Sequence, residues 1–216
     1  MHYYFGRDPA FYRTAARIFF GFYESAEKRM ILKYLPQEQD VIELGGSVGF
    51  VSTLIRSKIG PNRLHIVAEP DAKLARVAEN NLNSNFGAHK SVVLNSPYGT
   101  PGRNLVFEQG ASHIAGKLIE LDSSEESHET VSLEAIKRRF DIERFSLVMD
   151  IEGAESMLIY DEPQALAGCN CIIAELHETV LDHRKIKVGD LVSAIENLGF
   201  SLHKRDGNVF VFMTRG

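Results

Sequence analysis

Short apolar runs alternate with amphipathic stretches along most of this chain. Runs at residues 40–44, 64–68, 91–94, 145–150 and 171–176 have the length and character of buried parallel strands. Between the second and third runs, Leu74, Val77, Ala78 and Leu82 recur at helical spacing, with Asp71 near the start of a helix over 71–83. Helices are likewise predicted over 50–58, 131–140, 154–160 and 187–198, the last stopped by Gly199. Upstream, Phe11, Ala15, Ile18, Phe19 and Phe22 give residues 9–35 a helical period. Ser25 could cap a second helix there, although Lys28 stands where a capping box would place an acid. Pro36 closes this region, so 1–36 reads as an N-terminal helical segment and 37–216 as one domain.

The stretch 95–127 is less regular. Residues 103–108 suggest an extra strand, while 109–116 and 122–128, rich in Gly, Ser, Asp and Glu, read as loops. Near the end, apolar runs at 201–203 and 209–213 flank Arg205-Asp206-Gly207-Asn208, a hairpin signal. No internal repeat is evident. Alternating strands and helices imply an α/β fold: a mostly parallel sheet, helices on both faces and an antiparallel terminal hairpin. Ligands of such sheets sit at the carboxyl ends of the strands. That rule places Glu43, Glu69, Asn95, Asp150 and Glu175 on one rim.

Composition narrows the partners. The formal net charge of −5 lacks the basic surplus of a nucleic-acid binder. No apolar run approaches the ~20 residues that cross a bilayer. The two cysteines, Cys169 and Cys171, share a strand face and read as buried thiols, so a cytoplasmic protein is expected. The aromatic N-terminal segment suits either a cover for a pocket or a contact in a homodimer.

Chemistry concentrates in two segments. In Val41-Ile42-Glu43-Leu44-Gly45-Gly46-Ser47-Val48-Gly49, the glycines permit a tight turn and close approach of backbone to a ligand. The helix that follows offers free amides to an anionic group. A nicotinamide loop is usually G-x-G-x-x-G, facing a pyrophosphate. Here an acid precedes the glycines and would repel a pyrophosphate but suits a cationic cofactor. S-adenosylmethionine is such a cofactor, with a carboxylate for the turn amides. Glu69, at the next strand end, can accept from both ribose hydroxyls. Glu43, Gly45, Gly46, Ser47, Gly49 and Glu69 are therefore the cofactor candidates, with Asn95 and Ser96 as adenine contacts.

The second segment is Leu147-Val148-Met149-Asp150-Ile151-Glu152-Gly153-Ala154-Glu155. With Ala68-Glu69-Pro70, Val131-Ser132-Leu133 and the run 172–177, it resembles the FkbM family of S-adenosylmethionine-dependent methyltransferases over about residues 40–177. The resemblance implies a class I methyltransferase (Rossmann-like) fold with seven strands in the order 3-2-1-4-5-7-6. It also implies O-methylation of a hydroxyl, on a small-molecule or saccharide acceptor. The family commonly has Asp where Glu43 stands, Gly-Ala-Asn where Gly45-Gly46-Ser47 stands, and Leu-Asp where Leu133-Glu134 stands.

Methyl transfer needs the acceptor oxygen held in line with the donor, and a hydroxyl also needs a base or a cation. Asp150, at its strand end, is the first candidate; Glu155 suits a helix cap. Glu175 and His177 share a face at the next strand end, and His177 titrates near neutrality. Asp150, His177 and Glu175 are thus the catalytic candidates. No metal is assigned, although Asp150, Glu175 and His177 offer an oxygen- and nitrogen-rich set. Two alternatives stay open: an NAD(P)-dependent oxidoreductase, and a non-catalytic cofactor-binding module.

Overall fold

The computed structural model describes residues 25–87, 90–101, 103, 105–109, 116–120 and 130–215. The helical expectation for residues 9–24, and with it Phe11, Phe19 and Phe22, lies outside the described residues. So do the loops expected within 109–116 and 122–128, with their His113 and His128, apart from Gln109 and Gly116.

Helix α1 (Ser25–Tyr34) precedes strand β1 (Asp40–Leu44), which is followed by α2 (Phe50–Lys58), β2 (His65–Ala68), α3 (Ala72–Phe86) and β3 (Val92–Leu94). The irregular region contributes a separate ribbon, β4 (Leu105–Gln109) against β5 (Gly116–Glu120). Then come α4 (Leu133–Phe140), β6 (Phe145–Met149), α5 (Glu155–Asp161), a 3-10 turn at Pro163–Leu166 and β7 (Cys169–Glu175). A small ribbon of β8 (Thr179–Leu181) and β9 (Arg184–Ile186) leads to α6 (Val188–Asn197) and the hairpin β10 (Phe200–Asp206) and β11 (Val209–Thr214).

Seven strands form the main sheet in the order β10-β11-β7-β6-β1-β2-β3. Read from β3, that is the 3-2-1-4-5-7-6 order. β11 runs antiparallel to both β7 and β10, and the remaining pairs are parallel. The α/β expectation therefore holds, terminal hairpin included.

The alternation of strand side chains builds two cores. Ile42, Leu44, Ile66, Phe145, Leu147 and Met149 face α4, α5 and α6, with Leu133, Ile136, Leu158 and Leu191 buried among them. Val41, Val148, Ile173 and Val211 face the opposite side, against Ile31 of α1, Val51 and Ile55 of α2 and Leu74 of α3. Both faces of the central strands β1 and β6 are thus sealed, as a parallel sheet requires. Each fully buried Leu or Ile contributes about 2 kcal/mol.

Helix ends follow local chemistry. Asp71 caps α3, accepting from the amides of Lys73 at 2.7 Å and Leu74 at 3.1 Å. Ser132 caps α4 through the Ala135 amide, so that helix starts two residues later than the period suggests. Val131 is instead held in a bridge to Tyr98. The β8–β9 ribbon and the full length of β10 were not expected. Their residues alternate poorly, and β10 exposes most of its side chains.

Candidate active site

Register lines up the strand ends. Leu44 pairs with Ala68 and Met149, Ala68 with Leu94, and Met149 with Ala174. The next residue on each strand path is therefore Asn95, Glu69, Gly45, Asp150 and Glu175, in one row across the carboxyl rim. Glu43 is the exception. It lies one pleat below the rim, on the α2 side, and is 1% exposed. The expectation that it stands on the rim is corrected for that reason.

Glu43 has inward partners. Its Oε1 accepts from Ser52 Oγ at 2.9 Å, and its Oε2 lies 2.9 Å from His65 Nε2. His65 Nδ1 meets Ser91 Oγ at 3.0 Å. Burial pushes the Glu43 carboxyl up to about 8 and the His65 imidazole down to about 3. Both groups are thereby driven toward their neutral forms.

The glycine loop, 45–49, is packed as tightly as it is turned. Gly45 has φ 92, and a Cβ there would lie 1.9 Å from the Asp150 carbonyl oxygen. Gly49 has φ 78, and its Cβ would lie 2.7 Å from Ala78 Cα. A Cβ on Gly46 would meet Val67 Cγ1 at 2.4 Å. Ser47 itself takes a left-handed φ of 46. Asn81 Nδ2 donates to the Val48 carbonyl at 2.9 Å, tying the loop to α3.

Glu69 closes this half of the rim. Its Oε2 accepts from the Ser47 amide at 2.7 Å, and its Oε1 from the Asp71 amide at 2.9 Å. Burial raises its carboxyl to about 7 against the lowering effect of those two amides. Asn95 Nδ2 donates to the carbonyls of Glu69 and Pro70, so it braces the Glu69 turn. Ser96 Oγ makes a long contact with the Pro97 carbonyl at 3.4 Å.

The other half centres on His177. Its Nδ1 lies 3.1 Å from Glu155 Oε1, while its Nε2 faces Asp150 Oδ1 and Glu152 Oε2 at 3.8 Å each and Glu175 Oε1 at 4.0 Å. Glu155 is fully buried and also accepts from the amides of Ile151 at 3.1 Å and Gly153 at 2.9 Å. It therefore caps the turn before α5 and holds the imidazole at once. His177 is 24% exposed. Burial lowers its affinity for a proton, but the Glu155 hydrogen bond and the surrounding carboxylates outweigh that and raise it to about 9. Asp150 is raised to about 7 by burial and by Glu175. Its Oδ1 is sealed from solvent and has no hydrogen-bond partner among the described residues.

Asp150, Glu175 and His177 thus come together, as do Gly45, Gly46, Ser47 and Glu69. The partners His65 and Ser52, and the double duty of Glu155, were not anticipated. An acid at position 43 of a strand buried on both faces demands a buried partner, which was the available signal.

No protein-family model matches the chain, and no curated protein does. Solved structures do share its architecture. One is a magnesium protoporphyrin IX methyltransferase from Synechocystis with bound S-adenosylmethionine. It has 9% identity and a TM-score of 0.53, covering 97% of this chain and 86% of that one. A ribosomal protein L11 methylase from Lactobacillus delbrueckii has 11% identity and a TM-score of 0.51, covering 90% and 80%. A protein of the NADB-Rossmann superfamily from Streptococcus agalactiae has 10% identity and a TM-score of 0.51, covering 87% and 67%. At such identities the likeness is one of fold. The chain has the Rossmann-like fold of methyltransferase structures. No helix among the described residues is long and apolar enough to cross a membrane.

Proposed function

We propose that the chain is an S-adenosylmethionine-dependent methyltransferase acting on a hydroxyl of a small molecule or saccharide, as its resemblance to the FkbM family implies. The observation that carries this reading is the contact between Glu69 and the Ser47 amide, 2.7 Å. It joins the glycine loop to the acid of the neighbouring strand, in the same row as Asp150.

The donor set fits the cofactor. Each Glu69 oxygen accepts a hydrogen bond from one backbone amide and keeps acceptor capacity for a ribose hydroxyl. Helix α2 begins at Phe50, directly after the glycine loop, and a helix N-terminus suits a carboxylate. When bound, the cofactor supplies an electrophilic methyl group. Two strand spacings separate Glu69 from Asp150, about 10 Å along the rim. That span separates a ribose anchor from a reaction point.

On the reaction side, Asp150 Oδ1 has no hydrogen-bond partner among the described residues and can accept from an incoming hydroxyl. Glu175 and His177 flank that position. Glu155 fixes the imidazole and so sets the geometry that Asp150 and His177 share. Glu43 holds the first turn of α2 from below, through Ser52, and does not line the rim.

The test is transfer of labelled methyl from S-adenosylmethionine to a pool of hydroxylated small molecules and oligosaccharides. Wild type labels at least one acceptor, and Asp150→Asn loses 100-fold or more in rate while still binding the cofactor. Cofactor binding without transfer to any acceptor would favour the non-catalytic module.

A further inference from the structure

We propose that this rim is also a divalent-cation site, ligated by Asp150 Oδ1, a Glu152 carboxylate oxygen and His177 Nε2, with Glu175 at its edge. One ligand atom from each of the three lies within 4.8 Å of the other two. Adjacent ligands of an octahedral ion with bonds of about 2.1 Å are about 3 Å apart, and opposite ones about 4.2 Å. The 3.8 Å gaps from His177 Nε2 to Asp150 and Glu152 lie between those limits. Side-chain shifts of under ~1 Å would close them.

Acidic side chains often gather without an ion, so the proposal rests on a second observation. Asp150 Oδ1 points into the cluster, sealed from solvent and with no hydrogen-bond partner among the described residues. A buried carboxylate oxygen without a hydrogen bond is costly, and the His177 ring that faces it stops 3.8 Å away, beyond hydrogen-bond reach. The rest of the Asp150 side chain is 27% exposed, which gives an ion its entry.

The imidazole is set up to match. Glu155 holds Nδ1, which leaves the Nε2 lone pair aimed at Asp150 and Glu152 when the ring is neutral. Carboxylate-held histidine is the usual arrangement behind a metal-binding imidazole. Glu155 already accepts three hydrogen bonds and is a positioning residue, not a ligand. Two carboxylates and one imidazole suit a six-coordinate first-row ion such as Mn²⁺, with water or an acceptor oxygen on the open side. Such an ion lowers the pKa of a bound hydroxyl. Cation binding is measured without cofactor or acceptor, so its outcome is separable from the methyl-transfer reading.

The experiment is a titration of the whole chain with Mn²⁺ alone, followed by loss of the free-ion electron paramagnetic resonance signal. One Mn²⁺ binds per chain. Glu152→Gln, at a half-exposed position, and His177→Gln each weaken binding at least tenfold. Glu155→Gln weakens it 10- to 100-fold. Glu178→Gln, at an exposed acid paired with Lys185, changes nothing. Circular dichroism checks that each variant is folded; should Glu155→Gln unfold, Glu152→Gln decides. No binding to folded wild type at millimolar Mn²⁺ overturns the proposal. So does binding that Glu152→Gln and His177→Gln leave unaltered.

Discussion

Two glutamate–histidine pairs sit one pleat apart in depth, and they behave oppositely. Glu43 and His65 meet at 2.9 Å inside the sheet core, with both side chains essentially inaccessible. Glu155 and His177 meet at 3.1 Å on the rim, where the ring is partly open and three more carboxylates face it. In the first pair desolvation dominates, and His65 is pushed down to about 3. In the second, neighbouring negative charge dominates, and His177 is pushed up to about 9. The same two side chains thus serve as a neutral brace in one place and as a charge-ready centre in another. Depth and neighbours decide the role, not residue type.

Breaking the inner pair should cost most. Glu43→Ala leaves His65 Nε2 buried and unpartnered beside a new cavity, for about 3 kcal/mol by denaturant titration. A smaller loss is expected at the contact between the two halves. Gly45→Ala combines a left-handed φ with a collision against the Asp150 carbonyl, and should cost about 2 kcal/mol and weaken cofactor binding. On the rim, His177→Gln should cost only about 1 kcal/mol while lowering methyl transfer by 100-fold or more. A stability loss at His177 equal to that at Glu43 would erase the contrast.

The double variant Glu43→Met with His65→Leu sharpens it further. Removing both polar partners should be nearly neutral, within about 1 kcal/mol, because no buried group is orphaned. Its clearest effect is on pH dependence. Glu43, raised from 4.5 to about 8, contributes stability that is full below pH 4.5 and lost as pH rises toward 8. His65, lowered from 6.5 to about 3, contributes stability that is full above pH 6.5 and lost as pH falls toward 3. The pair therefore gives a plateau between pH 4.5 and 6.5, falling on both sides. Urea titrations from pH 3 to pH 8 should show wild type losing stability on both sides of the plateau, and the double variant losing less on each side.

Much of the fold was legible because strand burial writes long apolar runs, as in Val41, Ile42 and Leu44 or Leu147, Val148 and Met149. Gly45 and Gly49 were equally legible, since their φ values admit few other residues. The depth of Glu43 was not. It depends on strand register, which sets His65 diagonally beside it, and register is absent from local pattern. Glu155 was readable as a cap because helix starts attract acids. Its hold on His177 depends on β6 and β7 ending in the same row, a tertiary fact. The β8–β9 ribbon was missed for a plainer reason: its short strands expose Val180, Arg184 and Lys185 and lack an alternating signal.

The most direct measurement is calorimetric titration of S-adenosylhomocysteine into wild type and Glu69→Gln. One-to-one binding that weakens tenfold or more in the folded variant is the expected result, since Glu69 would lose its paired acceptors for the ribose. No binding to folded wild type, or equal binding by both proteins, would contradict the assignment of the glycine loop and Glu69 as the cofactor site.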